Sequence, residues 1–94
     1  MNSYLLKAIN EFVGTFVFIL VGMASCTPTS LIHPVVGFPF ALLAALLFFT
    51  GDFNPSISLS KLIFGDYNIQ TMIFSIMAQI IGGLLAFLVI RQQI

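Results

Sequence analysis

The residues best suited to chemistry form a polar break at positions 50–56 (TGDFNPS), inside an almost wholly apolar chain. Asn54 is a strong helix N-cap residue, and Pro55 suits the first helical position, where its missing N–H would have no partner anyway. A helix that begins here leaves unpaired N–H groups and the positive end of its dipole beside Asn54. Such a tip donates hydrogen bonds to water or to a small hydroxylated solute and repels cations. The break therefore predicts a solute site.

The segments on either side of this break indicate where it would lie. About 16 apolar residues precede it, at positions 35–50, and an amphipathic helix follows at positions 55–64. A helix of roughly ten residues rises only about 15 Å, half the thickness of the hydrocarbon core. Backbone that stops at membrane depth is stable only where it is buried in protein or lines a watery cavity. We therefore expect a re-entrant half-helix whose tip reaches a pore at the membrane midplane.

The composition is that of an integral membrane protein. Of 94 residues, 60% are hydrophobic and 6% are charged, whereas a soluble domain carries about 25% charged residues. We expect a single domain over residues 1–94, all-α and multi-pass, with three transmembrane helices and the one re-entrant half-helix. The three spans are expected at about 5–25, 32–50 and 69–90, with Pro39 causing a mild kink in the second.

Charge and residue counts exclude several classes of function. Three basic residues balance three acidic ones, so the clustered positive charge that nucleic acid requires is absent. The single cysteine, Cys26, and the single histidine, His33, are too few for a zinc site. No nucleophile, base and orienting residue stand at a plausible spacing for catalysis. We expect neither an enzyme nor a cofactor.

Three motifs, in order, resemble the first half of the major intrinsic protein family of aquaporins and aquaglyceroporins. Residues 11–16 (EFVGTF) are similar to the family's Glu-Phe-x-Gly-Thr-Phe. Gly51 followed by residues 54–58 (NPSIS) resembles its Ser-Gly and Asn-Pro-Ala-Val-Thr loop, and residues 78–86 (AQIIGGLLA) resemble its Ala-Gln-x-x-Gly-Ala-x-x-Ala. The three matches cover nearly the whole chain. The resemblance implies one aquaporin-type repeat and a passive channel for water or small neutral solutes such as glycerol.

The resemblance also implies roles for single residues. Asn54 would be the donor at the pore centre, while Pro55 and Ser56 would abut a second half-helix. Glu11 would lie inside the bundle and accept backbone N–H bonds from the loop, and Gln79 would form hydrogen bonds within the bundle. Four glycines would let the helices approach closely: Gly14, Gly22, Gly82 and Gly83.

Two departures from the family pattern affect the pore. The family's second half carries an arginine where this chain has Ile57, so the mouths would be apolar, lined by Val35 or Val36, Leu42 or Leu43, and Ile57. Asp52 stands where the family has histidine or a neutral residue. It would either cap N–H groups of the loop or face the vestibule and weaken the exclusion of cations.

One such repeat cannot close a pore, so we expect a partner in the bilayer. Two copies in antiparallel orientation would bring together two facing Asn54 tips. Lys7 and Lys61 on one side against Arg91 on the other give only a faint bias for one orientation, which permits insertion both ways. The alternatives are a pairing with a second half-channel polypeptide, or a half-channel fragment that does not conduct.

A coupled transporter is the rival interpretation. Glu11, close before Gly14 and Thr15, also resembles the first span of small multidrug resistance transporters, which are short antiparallel dimers with an intramembrane glutamate. Those proteins have four full spans, however, and the Asn-Pro break has no role in them. Proton-dependent flux that requires Glu11 and not Asn54 would favour this alternative.

Overall fold

Four α-helices form the computed structural model, which describes residues 2–94. They are α1 (Ser3–Ala24), α2 (Pro34–Phe48), α3 (Pro55–Ile63) and α4 (Ile69–Ile90). The predicted all-α class is confirmed, and α4 coincides with the segment expected at 69–90. By length and composition, α1 and α4 could each cross a membrane. α2 has 15 residues, and it begins two residues later and ends two residues earlier than the segment expected at 32–50.

Each helix begins at a side chain that accepts a hydrogen bond from its first turn. Asn2, Asn54 and Asn68 serve α1, α3 and α4. His33 serves α2, since its Nδ1 accepts the N–H of Val35 at 3.0 Å. Pro39 lies inside α2, as expected. The histidine thus has a local structural partner at the start of α2.

α1 lies at the centre of the packing. α2 contacts it on one side and α4 on another, while α3 packs against α4. Within residues 2–94, α2 and α3 do not contact each other. α2 and α3 therefore pack on different helices, and the loop that joins them, residues 49–54, is positioned by α1.

Small and polar residues occupy the interior, and large apolar side chains cover the outside. No leucine, isoleucine or valine among the described residues is buried, whereas residues such as Leu31, Leu47 and Phe64 are largely exposed. A soluble protein places these residue types the other way round, and small residues allow helix backbones to approach closely. The buried positions of the four helices are Glu11, Gly14, Thr15, Gly22, Gly37, Ala41, Ala45, Ser58, Ser75, Ala78, Gln79, Gly82 and Ala86.

Three of the four glycines predicted to aid packing lie where a side chain would collide. A Cβ on Gly82 would stand 2.5 Å from the carbonyl oxygen of Phe12, and one on Gly22 would stand 2.5 Å from the ring of Phe38. A Cβ on Gly14 would collide with the ring of Phe53. Gly83 differs, because its Cβ would meet only side-chain carbons at 3.8 Å. Close packing therefore requires glycine at Gly82, Gly22 and Gly14, but not at Gly83.

Candidate functional site

Side chains of α1 hold the loop of residues 49–54 by accepting hydrogen bonds from N–H groups of the loop. Oε1 of Glu11 accepts the N–H of Asp52 at 2.9 Å and that of Phe53 at 2.9 Å. Asn10, one residue earlier, accepts the N–H of Thr50 at 3.3 Å. Glu11 is fully buried, and its Oε2 lies 3.1 Å from Nζ of Lys7. The glutamate therefore occupies the position that loop support requires, and its charge is compensated by a lysine one turn away.

The carbonyl oxygens of the same loop have no hydrogen-bond donor among the described residues. None of the carbonyl oxygens of residues 49–53 accepts a hydrogen bond from any other residue within 2–94. Three N–H groups of the loop bond to side chains of α1, whereas its carbonyl oxygens remain free acceptors. Polar backbone in that state needs water or a solute as its partner.

Phe53 adopts an unusual backbone conformation immediately before the tip. Its φ is 57°, a left-handed conformation that is rare for a bulky residue. Its side chain is buried, and its ring lies against Gly14 and Gly51, where an added Cβ would collide with it. The bond to Glu11 and the burial of the ring thus hold a strained residue beside Asn54, as is common at functional sites.

Asn54 caps α3 and keeps a free donor. Its Oδ1 accepts the N–H of Ser56 at 2.8 Å, so the amide orientation leaves Nδ2 free to donate. The N–H of Ile57 has no acceptor among the described residues either. Asn54, Pro55, Ser56 and Ile57 are all exposed. The start of α3 therefore offers two N–H donors and the positive end of its dipole to whatever lies beside it.

Asp52 does not cap the loop, contrary to one of the two expected roles. Its carboxylate accepts hydrogen bonds from Ser58 Oγ at 2.8 Å, Tyr67 OH at 2.8 Å and Lys61 Nζ at 2.6 Å. Its side chain is 2% exposed. The ammonium group of Lys61 compensates the charge of this carboxylate, and the hydroxyl groups of Ser58 and Tyr67 complete its hydrogen bonds. The aspartate is therefore an ionised, enclosed anchor.

Four of the six charged side chains in the chain belong to one neutral cluster. Nζ of Lys7 lies 3.9 Å from Asp52 as well as beside Glu11. Both lysines also approach the ring of Tyr67, whose centroid lies 5.0 Å from Nζ of Lys7 and 5.1 Å from Nζ of Lys61. Two positive and two negative charges are thus compensated inside the fold, and Tyr67 contacts three of the four residues.

Gln79 links α4 to this cluster. Its Nε2 donates to Oγ of Ser58 at 2.9 Å, and the same hydroxyl donates to Asp52. Its Oε1, fully enclosed, has no partner among the described residues. The position fits the expected role of a hydrogen-bonding residue within the bundle.

The residues expected to line the mouths are not brought together within one chain. Val35 is 71% exposed, Ile57 is 44% exposed and Leu42 is 36% exposed. Val35 and Leu42 are on α2, which does not contact α3. Ile57 instead borders a groove of about 290 Å³ along α3, together with Ser56, Ser60 and Lys61. An apolar constriction would need residues from a second copy or another partner.

Sequence reasoning missed six residues of the site: Lys7, Asn10, Phe53, Ser58, Lys61 and Tyr67. Two signals were available. Lys7 and Glu11 stand four positions apart, the spacing of ion pairs on one helix face. A lysine in a short helix of a chain with few charges also requires a partner, and Asp52 was the nearest acid that precedes it.

Comparison of the chain with models of protein families, with curated proteins and with solved structures gave no match.

Proposed function

We propose that this chain is one half of a passive membrane channel for water or small neutral solutes such as glycerol. In this proposal α1, α2 and α4 cross the bilayer, with extended residues at both ends of α2 completing its span. α3 enters from one side and stops inside. The outward-facing large apolar side chains support it, as does the longest dimension of 43 Å, which matches a bilayer of about 40–45 Å including headgroups.

One observation carries the proposal: free acceptors and a free donor follow one another along the loop. The carbonyl oxygens of residues 49–53 lack donors, and Nδ2 of Asn54 lacks an acceptor. Water and polyols offer both donors and acceptors, so they can replace their lost hydration along such a path. An ion cannot, because the start of α3 repels cations and the carbonyl groups repel anions.

A second half is required to close the path. α2 and α3 do not contact each other, and the tip of α3 is exposed. An antiparallel copy would place a second Asn54 tip opposite the first, in the manner of an inverted repeat, and a different half-channel polypeptide could do the same. The three motifs that resemble the major intrinsic protein family agree with this arrangement.

The position of Glu11 argues against a proton-coupled transporter. Both of its oxygens are engaged, by loop N–H groups and by Lys7. A carrier carboxylate has to be accessible to solvent and substrate and to exchange its proton. Here the carboxylate is enclosed and its bonds hold the loop, which is a structural task.

The test is the replacement of Asn54 by aspartate in purified protein reconstituted into liposomes. Aspartate keeps the helix cap but removes the free N–H donor and adds a negative charge. We expect glycerol-driven swelling, followed by light scattering, to fall about tenfold, the effect of losing one hydrogen bond of about 1.4 kcal/mol. Asn68→Asp is the matched control, because Asn68 caps α4 in the same way away from the tip, and its swelling rate should equal that of the wild type.

Three outcomes would overturn the proposal or its pairing of two copies. Wild-type protein that gives no swelling above empty liposomes would show that the chain forms no channel by itself. Equal swelling of Asn54→Asp and wild type would remove the tip from the path. Flux that depends on a proton gradient and is lost in Glu11→Gln would support the transporter instead.

A further inference from the structure

Asp52 places a negative charge next to the proposed path. It precedes Asn54 by two positions. Both residues belong to the loop whose carbonyl oxygens have no donor. A bare carboxylate here would offset the positive end of α3 and attract cations. The structure shows why it is not bare. Lys61 Nζ lies 2.6 Å from its Oδ1 and Lys7 Nζ lies 3.9 Å from its Oδ2.

We propose that Lys61 determines the charge selectivity of this path, by neutralising Asp52 so that the positive end of α3 excludes cations. The inference rests on the proposed function and adds to it a specificity-determining residue that lies outside the tip. In this arrangement Lys61 does not contact the solute. It acts through Asp52, which it contacts directly.

The geometry assigns this role to Lys61 and not to Lys7. Lys7 is shared, because its ammonium group is closer to Glu11, at 3.1 Å, than to Asp52, at 3.9 Å. Lys61 has Asp52 as its one acidic partner within residues 2–94. Asp52 therefore relies on Lys61 for a full countercharge, and Glu11 relies on Lys7.

A purely structural role would make a different prediction. If the pair only stabilised the loop, Lys61→Met would leave a buried carboxylate unpaired and would lower the unfolding midpoint and the glycerol swelling together. If Lys61 neutralises Asp52, K⁺ efflux rises while glycerol swelling stays at the wild-type level, and removing the negative charge as well restores selectivity. K⁺ efflux and swelling measured on the same samples therefore separate the two roles.

The experiment compares Lys61→Met with the double variant Asp52→Asn/Lys61→Met in K⁺-loaded liposomes. We expect K⁺ efflux, measured with an ion-selective electrode, to rise about tenfold in Lys61→Met, which corresponds to about 1.4 kcal/mol of added attraction between the unpaired carboxylate and a cation. Efflux should return to the wild-type level in the double variant. Lys61→Arg keeps the charge and Arg91→Met removes an exposed charge elsewhere, so both should match the wild type.

An unpaired buried charge can prevent folding, so Lys61→Gln serves as a second variant, because its amide still donates a hydrogen bond to Asp52. The inference is overturned if folded Lys61→Met and Lys61→Gln both exclude K⁺, or if the double variant leaks as much as the single one. Glycerol swelling is measured in every sample. Liposomes with wild-type protein that neither swell nor leak contradict a channel made of two copies of this chain, whereas normal swelling with K⁺ exclusion in all variants contradicts only the role of Lys61.

Discussion

Glu11 shows how one residue holds the site at the smallest scale. It is fully buried, yet its oxygens accept two loop N–H groups and its charge is paired with Lys7. A buried carboxylate without such partners would cost several kcal/mol. Because its partners compensate this cost, Glu11 can anchor a loop that has few other hydrogen bonds. Its bond to the N–H of Phe53 also helps to hold the strained conformation of that residue.

Replacing Glu11 by glutamine should destabilise the protein. The amide has one acceptor oxygen, and its NH₂ group would face Lys7 or the loop N–H groups, which are donors too. We expect a loss of about 1–3 kcal/mol, measured as a lower apparent midpoint of thermal unfolding in detergent. Asp66→Asn is the control, because Asp66 is exposed and its carboxylate makes no hydrogen bond within residues 2–94. An unchanged midpoint for Glu11→Gln would show that the loop does not depend on this carboxylate.

At the scale of elements, the closest approach is between α1 and α4. Gly82 of α4 lies so near the carbonyl oxygen of Phe12 that a Cβ would stand 2.5 Å from it. Backbone cannot move aside as a flexible side chain does. The two adjacent glycines of α4 thus differ in packing, because a Cβ on Gly83 would make only ordinary van der Waals contacts.

The pair Gly82→Ala and Gly83→Ala tests this difference within one helix turn. Gly82→Ala forces α1 and α4 apart, and overpacking of this kind costs about 1–3 kcal/mol. Gly83→Ala should be neutral or stabilising by up to about 1 kcal/mol, since alanine favours a helix over glycine. Thermal unfolding in the same detergent measures both. Equal midpoints for the two variants would mean that the contact at Phe12 is not close in solution.

At the scale of the whole molecule, the exposed tip defines how two copies would meet. In an antiparallel pair, residues near the midplane approach their counterparts, whereas residues at one end of the bundle move to opposite sides of the membrane. Ser56 is at the tip, and Thr29 lies in the turn between α1 and α2. Both are exposed, so they report on pairing without disturbing the interior.

Cysteine cross-linking distinguishes the arrangements, in a Cys26→Ser background that removes the native exposed thiol. We expect Ser56→Cys to give a disulfide-linked dimer in membranes on oxidation, because a disulfide needs Cα atoms within about 7 Å. Thr29→Cys should stay monomeric, since the two thiols would face opposite sides. Dimers through Thr29→Cys would indicate a parallel pair, and absence of dimers at Ser56 would argue against facing tips.

Local signals in the sequence were enough to place the elements. The Asn54-Pro55 start of α3 and the lengths of the apolar runs are read within a few residues, whereas Pro34 is expected to end a run and instead begins α2. Accordingly α4 begins and ends at the residues that the sequence predicts, and α3 ends one residue earlier than expected. α2 is shorter than expected at both ends, because apolar composition does not reveal whether the flanking backbone is helical or extended.

Only the tertiary structure decided which side chains meet. Asp52 and Glu11 are 41 positions apart in the chain, and no local pattern shows that one supplies the N–H while the other accepts it. The same holds for the bonds of Asp52 to Lys61 and Tyr67, for the difference between Gly82 and Gly83, and for the gap between α2 and α3. These outcomes depend on how the helices rotate and approach. That geometry follows from the packing of small residues across the interfaces and from the need of every buried charge for a partner.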